Sequence, residues 1–387
     1  MRVIPPLSIS NAMLTSSTAP EPGVNESAYN SGTTYAVGDY VILGSPTSTV
    51  TITIAAPGVI TWTAHGQALW TPVVFTTTGA LPTGLVANTE YYVTTITTNT
   101  FQVAAAVGGA AITTTGTQSG THTATTKVHR VYQSLKASNL GNYPTLAASS
   151  TWWVDAGPTN QWGMFDLLRN TSTIIPSPLT VVLTPGQRVN SIALLGVVAN
   201  SVTVSITSVL GGGTVYNVTT SMNSRNTIDW YSYFFEPFST NPSLVFFDLP
   251  PYSDAIITVT LTATSGNVWL GSLCLGTYVA LGSAQYNAVS DVLNFSTIAR
   301  DIYGNSTLTP RRNVPKTVQK CRIEKTSVNK IIALRTLLNA VPAVWSGLDD
   351  VTDLYANSLL ILGIYKAFSI NIDLPTNAEI NLELEEV

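Results

Sequence analysis

The residue types best suited to chemistry in this 387-residue chain are the aromatic ones. Tyrosine and tryptophan rings stack against the apolar faces of sugars, and the same amphipathic rings are enriched at protein interfaces. Neighbouring residues of a strand point to opposite faces, so an adjacent pair of rings can also place one ring in a core and one outside. Glycan binding, subunit packing and core packing are therefore all open for six rings: Tyr29, Tyr35, Tyr132, Trp152, Trp153 and Trp162.

A second aromatic run, DWYSYFFEPF, occupies residues 229–238. As a strand it would carry rings on both faces, which is typical of a strand that is fully buried or covered by a partner. We interpret this run as core and subunit interface in preference to a ligand site. The candidate interface residues are Trp230, Tyr231, Tyr233 and Trp345.

Acidic residues near these rings raise the question of glycoside cleavage, which needs two carboxylates at a fixed separation across a cleft. The candidates are Asp229, Glu236, Asp248 and Asp254. Aspartates beside Pro, Gly and Ser more often accept hydrogen bonds from the backbone of a turn, and we favour that role here. The sequence contains neither a GxSxG nucleophile elbow nor a GK[ST] phosphate loop, and Gly211–Gly213 is predicted to be a hairpin turn.

Metal and redox chemistry have equally few candidate residues. His65, His122 and His129 are spaced too loosely for a metal site, which usually includes at least one closely spaced pair of ligands. Cys274 and Cys321 are too few for a disulfide framework, so we expect free thiols, as in a reducing cytosol. We therefore predict that the protein is not an enzyme and uses no cofactor and no metal.

The composition is unusual in its charge. Hydrophobic residues make up 45% of the chain but charged residues only 10%, against roughly 25% in ordinary soluble domains. Low charge is typical of subunits whose surface is covered in an assembly, although secreted β-sandwich proteins share it. The net charge of −4 and the scattered basic residues argue against nucleic-acid binding; the one dense basic stretch, Arg311–Arg322, is predicted to be a solvated surface. No run of about twenty apolar residues occurs, so we expect no membrane span.

The elements that must position these residues are mainly β-strands. The motif YNSGTTYAVGDYV at 29–41 continues only at 129–162, after a Thr-rich insert with β-branched runs separated by PG, TG and GG. Apolar residues at helical spacing in KIIALRTLLNAV (330–341), followed by Pro342, predict one helix. We predict a mainly β, multidomain chain: an extended, proline-rich N-terminal arm (1–24), a small aromatic module split in two (25–46 and 128–163), an inserted β domain (47–127), an antiparallel, jelly-roll-like β-sandwich (164–285) and a β-rich C-terminal α+β domain with one helix (286–387).

Two resemblances add to this interpretation. The split module resembles small chitin- and cellulose-binding modules through Tyr35, Gly38-Asp39, Val131-Tyr132 and Trp152-Trp153. The insert, with VVFTTTGALPTGLVANTEYYV and TNTFQVAA, resembles a small β domain of tailed-bacteriophage tail proteins, and RDIYGNSTLTPRRN near the C-terminus is also similar to tail components.

The resemblance to phage tail proteins implies a structural virion protein of the baseplate, collar or fibre-attachment region. Such a protein acts by assembling with copies of itself and with other tail proteins, and it is put together in the host cytoplasm. The alternative that the module implies is a receptor-binding protein that contacts host surface polysaccharide. The two hypotheses differ in what the module's rings contact: a neighbouring subunit in the first, a sugar in the second.

Overall fold

The computed structural model describes residues 1–224, 229–235, 239–348, 350, 353, 355–372 and 375–387. The chain forms two compact units, a smaller one of Pro20–Trp162 and a larger one of Met1–Ala19 with Gly163–Val387. The predicted fold class is confirmed, because the structure is mainly β, with several sheets and a six-stranded barrel.

The first strands belong to the N-terminal stretch and the smaller unit. They are β1 (Arg2–Ile4), β2 (Leu14–Ser17), β3 (Tyr40–Leu43), β4 (Thr47–Ile52), β5 (Ile60–Thr61), β6 (Pro72–Thr77), β7 (Glu90–Thr94), β8 (Thr100–Ala104), β9 (His122–Thr126), β10 (Arg130–Ser134) and β11 (Trp153–Pro158).

The remaining strands belong to the larger unit. They are β12 (Thr173–Pro176), β13 (Leu179–Leu183), β14 (Ser191–Leu195), β15 (Ser201–Ser208), β16 (Gly213–Ser221), β17 (Asn223–Ser224), β18 (Ser239–Thr240), β19 (Ser243–Phe246), β20 (Ile256–Thr262), β21 (Asn267–Leu270), β22 (Ser272–Gly276), β23 (Val279–Ala280), β24 (Ser283–Ala284), β25 (Val289–Asn294), β26 (Thr297–Arg300), β27 (Ser306–Thr309), β28 (Asn313–Glu324), β29 (Ala343–Ser346), β30 (Leu360–Asn371) and β31 (Asn377–Glu386). The α-helices are α1 (Trp230–Phe235) and α2 (Val328–Leu337).

The smaller unit contains a closed barrel and a three-stranded sheet. The barrel order is β4-β5-β8-β7-β6-β9, all within the predicted insert, and the sheet order is β11-β10-β3. In β6 and β8 buried residues alternate with less buried ones, and the buried apolar set, which includes Val73, Phe75 and Phe101, fills the interior. The sheet joins the two halves of the split motif, because β10 pairs β3 with Val131 opposite Ile42.

The larger unit is built in three sheet layers. A five-stranded sheet, β16-β15-β20-β13-β2, shares one hydrophobic core with the sheet β19-β14-β22. Every residue of β14 and β22 is buried, and the other side of these strands packs with Ile4, Val344 and Leu362 of an eight-stranded sheet. The main path of that sheet is β23-β1-β29-β30-β31-β28-β24, with β25 on β28. The predicted domains 164–285 and 286–387 therefore share a core.

The N-terminal stretch differs from the expected arm. Met1, Val3 and Ile4 are fully buried, β1 pairs both β23 and β29, and β2 pairs β13. Pro5 and Pro6 follow directly after β1, so they end the strand but are not part of it. The short apolar run before them is therefore free to pair inside a sheet. The stretch thus completes two sheets of its own chain.

The two α-helices give opposite results for the sequence predictions. The helix expected at 330–341 is α2, which packs through Ile331, Leu334 and the following Leu338 into the core of the eight-stranded sheet. It ends before Pro342, and Ala340 has a left-handed φ of 58°. The aromatic run was expected as a strand, and the strand prediction is wrong: Trp230–Phe235 is α1. None of the described helices is long and apolar enough to cross a membrane.

Candidate functional site

The aromatic residues of the split module pack against one another. The Tyr35 ring lies 5.2 Å from that of Trp153 and 5.9 Å from that of Tyr29, and Tyr143 meets Tyr29 edge-on at 5.3 Å. The sheet β11-β10-β3 positions these rings, because Trp153 and Tyr132 come from adjacent strands. Tyr35 and Trp153 are 8% and 4% exposed, so their faces are already used inside the module.

Hydrogen bonds and burial fix these rings in place. The Trp153 indole donates to the carbonyl of Asn142 at 2.8 Å, and the Tyr35 hydroxyl accepts from the backbone amide of Asn30. Burial, followed by the charge of Asp155, raises the pKa of Tyr132 to about 12. Burial also raises the pKa of Tyr143 to about 12. Three of the six predicted rings, Tyr35, Tyr132 and Trp153, are therefore part of the core of the module.

The other three rings, Tyr29, Trp152 and Trp162, are only partly buried. The Lys136 ammonium group lies 4.9 Å from the centre of the Trp152 ring, a cation–π contact. Trp162 stacks on His129 with ring centres 4.5 Å apart. Trp153 is buried in the module core and Trp152 keeps an accessible part, which is one of the arrangements left open for this pair.

A polar cluster connects residues near the two ends of the smaller unit by hydrogen bonds. Glu21, the second residue of the unit, accepts hydrogen bonds from His129 Nδ1 at 2.6 Å and from the Thr159 hydroxyl at 2.7 Å. The side chains of Glu21 and His129 are only 9% and 11% exposed. Since Thr159 lies close to the other end of the unit, this carboxylate connects three distant parts of the sequence.

An open groove lies beside the module. Its volume is about 480 Å³, and its walls are Ala28, Tyr29, Asn30, Ser31 and Tyr143. The Tyr29 hydroxyl is buried and has no hydrogen-bond partner. A polar group of a ligand that reached this hydroxyl would satisfy it.

The two predicted interface regions separate into core and surface. Trp345 is fully buried, and its indole donates to the carbonyl of Gly363 at 3.0 Å, so its prediction as an interface residue is wrong. It lies in β29, which is inside the eight-stranded sheet and buried along its whole length. The rings of α1 lie on the surface: Trp230, Tyr231 and Tyr233 are 78%, 73% and 50% exposed. Together with Phe234 and Phe235 they form what we call the aromatic patch.

A second exposed apolar region was not predicted. It is the hairpin arm, residues 286–312, which includes β25, β26 and β27. All residues of β26 and β27 are exposed, and in the part of the chain that the structure describes these two strands pair only with each other. Its exposed apolar side chains are Tyr286, Val289, Val292, Phe295, Ile298, Ile302, Tyr303 and Leu308. Phe295, Ile298, Ile302 and Leu308 do not follow the period of two that marks a half-buried strand, so the sequence pattern gave no signal for this hairpin.

The tip of the hairpin arm is an ordered turn. The Asp301 carboxylate accepts hydrogen bonds from the amides of Tyr303 and Asn305 at 2.9 and 2.8 Å. The Asn305 side-chain amide also donates to this carboxylate. The side-chain bond, followed by the backbone bonds, holds the pKa of Asp301 below its usual value. The turn presents Ile302 and Tyr303, which are 91% and 83% exposed.

The candidate acids have structural partners. The Asp254 carboxylate accepts from the Ser208 hydroxyl and the Leu210 amide, and Asp248 accepts from the Tyr216 hydroxyl. The Asp229 carboxylate accepts from the Ser232 amide at 2.7 Å and caps the start of α1. Glu236 lies outside the described residues. The turn role that we expected thus applies to Asp254, and Asp229 serves as a helix cap.

The histidines also have hydrogen-bond partners. His122 contacts Thr77 and Gln118, and His129 contacts Glu21. His65 accepts from the amide of Gln67 and donates to the carbonyl of Thr100 in β8. Burial lowers the pKa of His65. Within the described part of the chain, no group of three or more His, Cys, Asp or Glu residues is placed to hold a metal ion.

Comparisons with known proteins gave no match, neither to a protein-family model nor to a curated protein nor to a solved structure.

Proposed function

We propose that this chain is a structural subunit of a bacteriophage virion, part of its tail, and that it acts by assembling with copies of itself and with neighbouring tail proteins. The observation that carries the assembly role is the hairpin arm. An isolated two-stranded hairpin is marginally stable at best in water, and three or more strands or a packed face are needed for stability. The β26–β27 hairpin has both faces exposed, and this exposure is explained if a second subunit covers the hairpin.

The apolar content of the hairpin arm points to the same role. Ile298 and Leu308 face each other across β26 and β27 and are 63% and 67% exposed. Each such side chain gains about 1.5–3 kcal/mol when it is fully buried. The low charge of the chain is consistent with a surface that assembly covers. Placement in a phage tail is supported by the resemblance of the insert and of the C-terminal segment.

A deletion of the outer hairpin arm tests the assembly role. Asn294 is paired with Asn313, so residues 295–312 can be replaced by Asn-Gly, the two-residue turn that closes a hairpin without disturbing β25 or β28. We expect the shortened chain to fold, as judged by circular dichroism and thermal unfolding, but to lose higher oligomers in sedimentation velocity. A Val209→Ser variant, which alters an exposed apolar residue elsewhere, is the control. Unchanged oligomers in the shortened chain contradict the role of the hairpin arm.

Placement in the virion needs a separate experiment. Mass spectrometry of density-purified phage particles, from the host culture in which the gene is expressed, should detect the chain in a fixed ratio to the other tail proteins. Its absence from intact particles contradicts the virion role and leaves the assembly role standing.

The second candidate is a receptor-binding role, and the groove beside Tyr29 is the observation that favours it. We infer that a glycan would enter this groove, because Tyr29 and Tyr143 line it whereas Tyr35, Tyr132 and Trp153 are buried in the module core. Ser31 is exposed at the groove wall, so Ser31→Trp fills the groove without removing a packed ring. If the role is correct, the wild-type chain binds host polysaccharide and the variant loses binding. Equal binding by both contradicts this role.

A further inference from the structure

The aromatic patch is large for the surface of a monomer. Its five rings are 78%, 73%, 50%, 64% and 72% exposed. With about 150–250 Å² for each complete side chain, the exposed area is roughly 500–800 Å². The largest apolar patch on a typical monomer is about 300–600 Å², and each partner in a stable interface buries about 800 Å². The area is thus close to what one stable protein contact needs.

The rings of the aromatic patch contact one another within α1. Ser232 is the buried residue of α1, and its hydroxyl and amide are hydrogen-bonded to Asp229. The buried side of the helix is therefore the side that carries no ring. Trp230 stacks on Phe234 at 6.1 Å, and Tyr231 contacts Phe235 at 5.2 Å. Rings held in this way lose little side-chain freedom on association, which favours binding.

The low charge of the described segment favours a second copy of the chain as the partner of the patch. The described residues 229–235 contain one charged side chain, Asp229, and its carboxylate is bonded to the amide of Ser232 at the start of α1. No Lys or Arg is present in this segment, whereas segments that lie on membrane surfaces typically carry them beside the apolar residues. Two identical uncharged patches can meet without like-charge repulsion, and a twofold contact requires such a self-complementary surface.

We propose that the aromatic patch is a homotypic contact, through which α1 of one copy packs against α1 of a second copy. This contact rests on the proposed assembly function and specifies the partner of one surface. It is independent of the hairpin arm, which forms a different contact in the same assembly. A chain with both contacts builds oligomers whose size falls in steps as each contact is removed.

The test is sedimentation velocity of the full chain and three variants over a series of concentrations. Trp230→Ser with Phe234→Ser removes two exposed rings and keeps the Asp229–Ser232 cap. We expect its oligomers to have half the wild-type mass and its homotypic association to be at least 100-fold weaker, because exposed Trp and Phe anchors dominate such contacts. The control, Val209→Ser with Leu210→Ser, removes two apolar residues that are 90% and 73% exposed and should keep the wild-type mass.

The third variant, the shortened hairpin arm, separates the two proposals. The shortened chain should still form dimers. If adding Trp230→Ser and Phe234→Ser to the shortened chain abolishes these dimers, the homotypic contact is supported. If the aromatic variant keeps the wild-type mass while the shortened chain dissociates, the homotypic contact is wrong and the proposed function stands. A monomeric wild-type chain at all concentrations overturns the contact as well; loss of binding to phosphatidylcholine vesicles in the aromatic variant would then assign the patch to lipid.

Discussion

At the scale of single residues, the rings of the split module illustrate how one residue type serves different purposes. Tyr35 and Trp153 were candidates for sugar stacking, yet both are buried against each other, with centres 5.2 Å apart. Aromatic residues carry no mark in the sequence that separates a small core from a binding platform, because both need large amphipathic rings. Only the neighbours from β3 and β10, distant in sequence, decide the outcome.

Burial of the module tyrosines predicts a loss of stability at high pH. The pKa of Tyr132 and that of Tyr143 are both raised to about 12 by burial, so the folded state favours the neutral phenols. This contribution is complete below the ordinary tyrosine pKa of about 10 and is lost as the pH rises through about 12. Near-ultraviolet circular dichroism and absorbance at 295 nm should show late ionisation together with loss of tertiary signal.

Single variants assign this effect. Tyr132→Phe should reduce the late-ionising absorbance, and Tyr286→Phe, at a side chain 96% exposed, should not. Ionisation of all tyrosines near pH 10 with an intact tertiary signal would show that the module rings are not buried.

The cluster around Glu21 gives a second prediction at this scale. Glu21→Ala leaves His129 and Thr159 without their acceptor, and two hydrogen bonds to a charged group are worth about 3 kcal/mol in the free energy of unfolding. The matched control is Arg130→Ala, which breaks the exposed ion pair with Asp155 and should cost less than about 1 kcal/mol. Denaturant unfolding measures both. Equal losses in the two variants would mean that the buried carboxylate does not stabilise the unit.

At the scale of elements, periodicity predicted the strands better than it predicted α1. The β-branched runs became strands because side chains that alternate in size and polarity suit a pleated, half-buried surface. Residues 230–235 have equally high strand propensity, but Asp229 caps the segment and the stacked pair Trp230–Phe234 is spaced by four, as in a helix. Local capping thus prevailed over propensity.

The turn of the hairpin arm predicts a response to acid. The pKa of Asp301 is held below its usual value by the bonds from Asn305, so its contribution is present above the ordinary Asp pKa of about 3.9 and is lost as the pH falls through the lower, folded value. The backbone amide resonance of Asn305 should titrate with a midpoint below about 3.9. Asp301→Asn should abolish this titration, and a midpoint at or above 3.9 would contradict the turn.

The buried strands predict inert thiols. Cys274 in β22 and Cys321 in β28 are both free, as expected from the sequence, and are at most 1% exposed. Burial raises the pKa of Cys274 to about 12, and only the thiolate reacts. A thiol reagent at pH 8 should modify neither cysteine in the native chain and both in denaturant, whereas an added Val209→Cys should react at once. Rapid reaction of the native chain would show that these strands are not buried.

At the scale of the whole molecule, the sequence indicated the fold class but not how the sheets combine. Residues 1–4 were assigned to an arm because prolines follow them, but β1 lies between β23 and β29, two elements more than 270 residues away. A strand of three residues has too little periodicity to be recognised, and its partners are set by long-range pairing. For the same reason the shared core of 164–285 and 286–387 could not be read from spacing.

The central claim for the whole molecule is that the hairpin arm exists to be covered by another subunit. The most direct measurement is cryo-electron microscopy of the intact particle that contains the chain, at a resolution that traces residues 286–312. We predict that Ile302, Tyr303 and Leu308 are buried against a neighbouring chain. A hairpin arm that is fully exposed to solvent in the assembled particle would contradict the account.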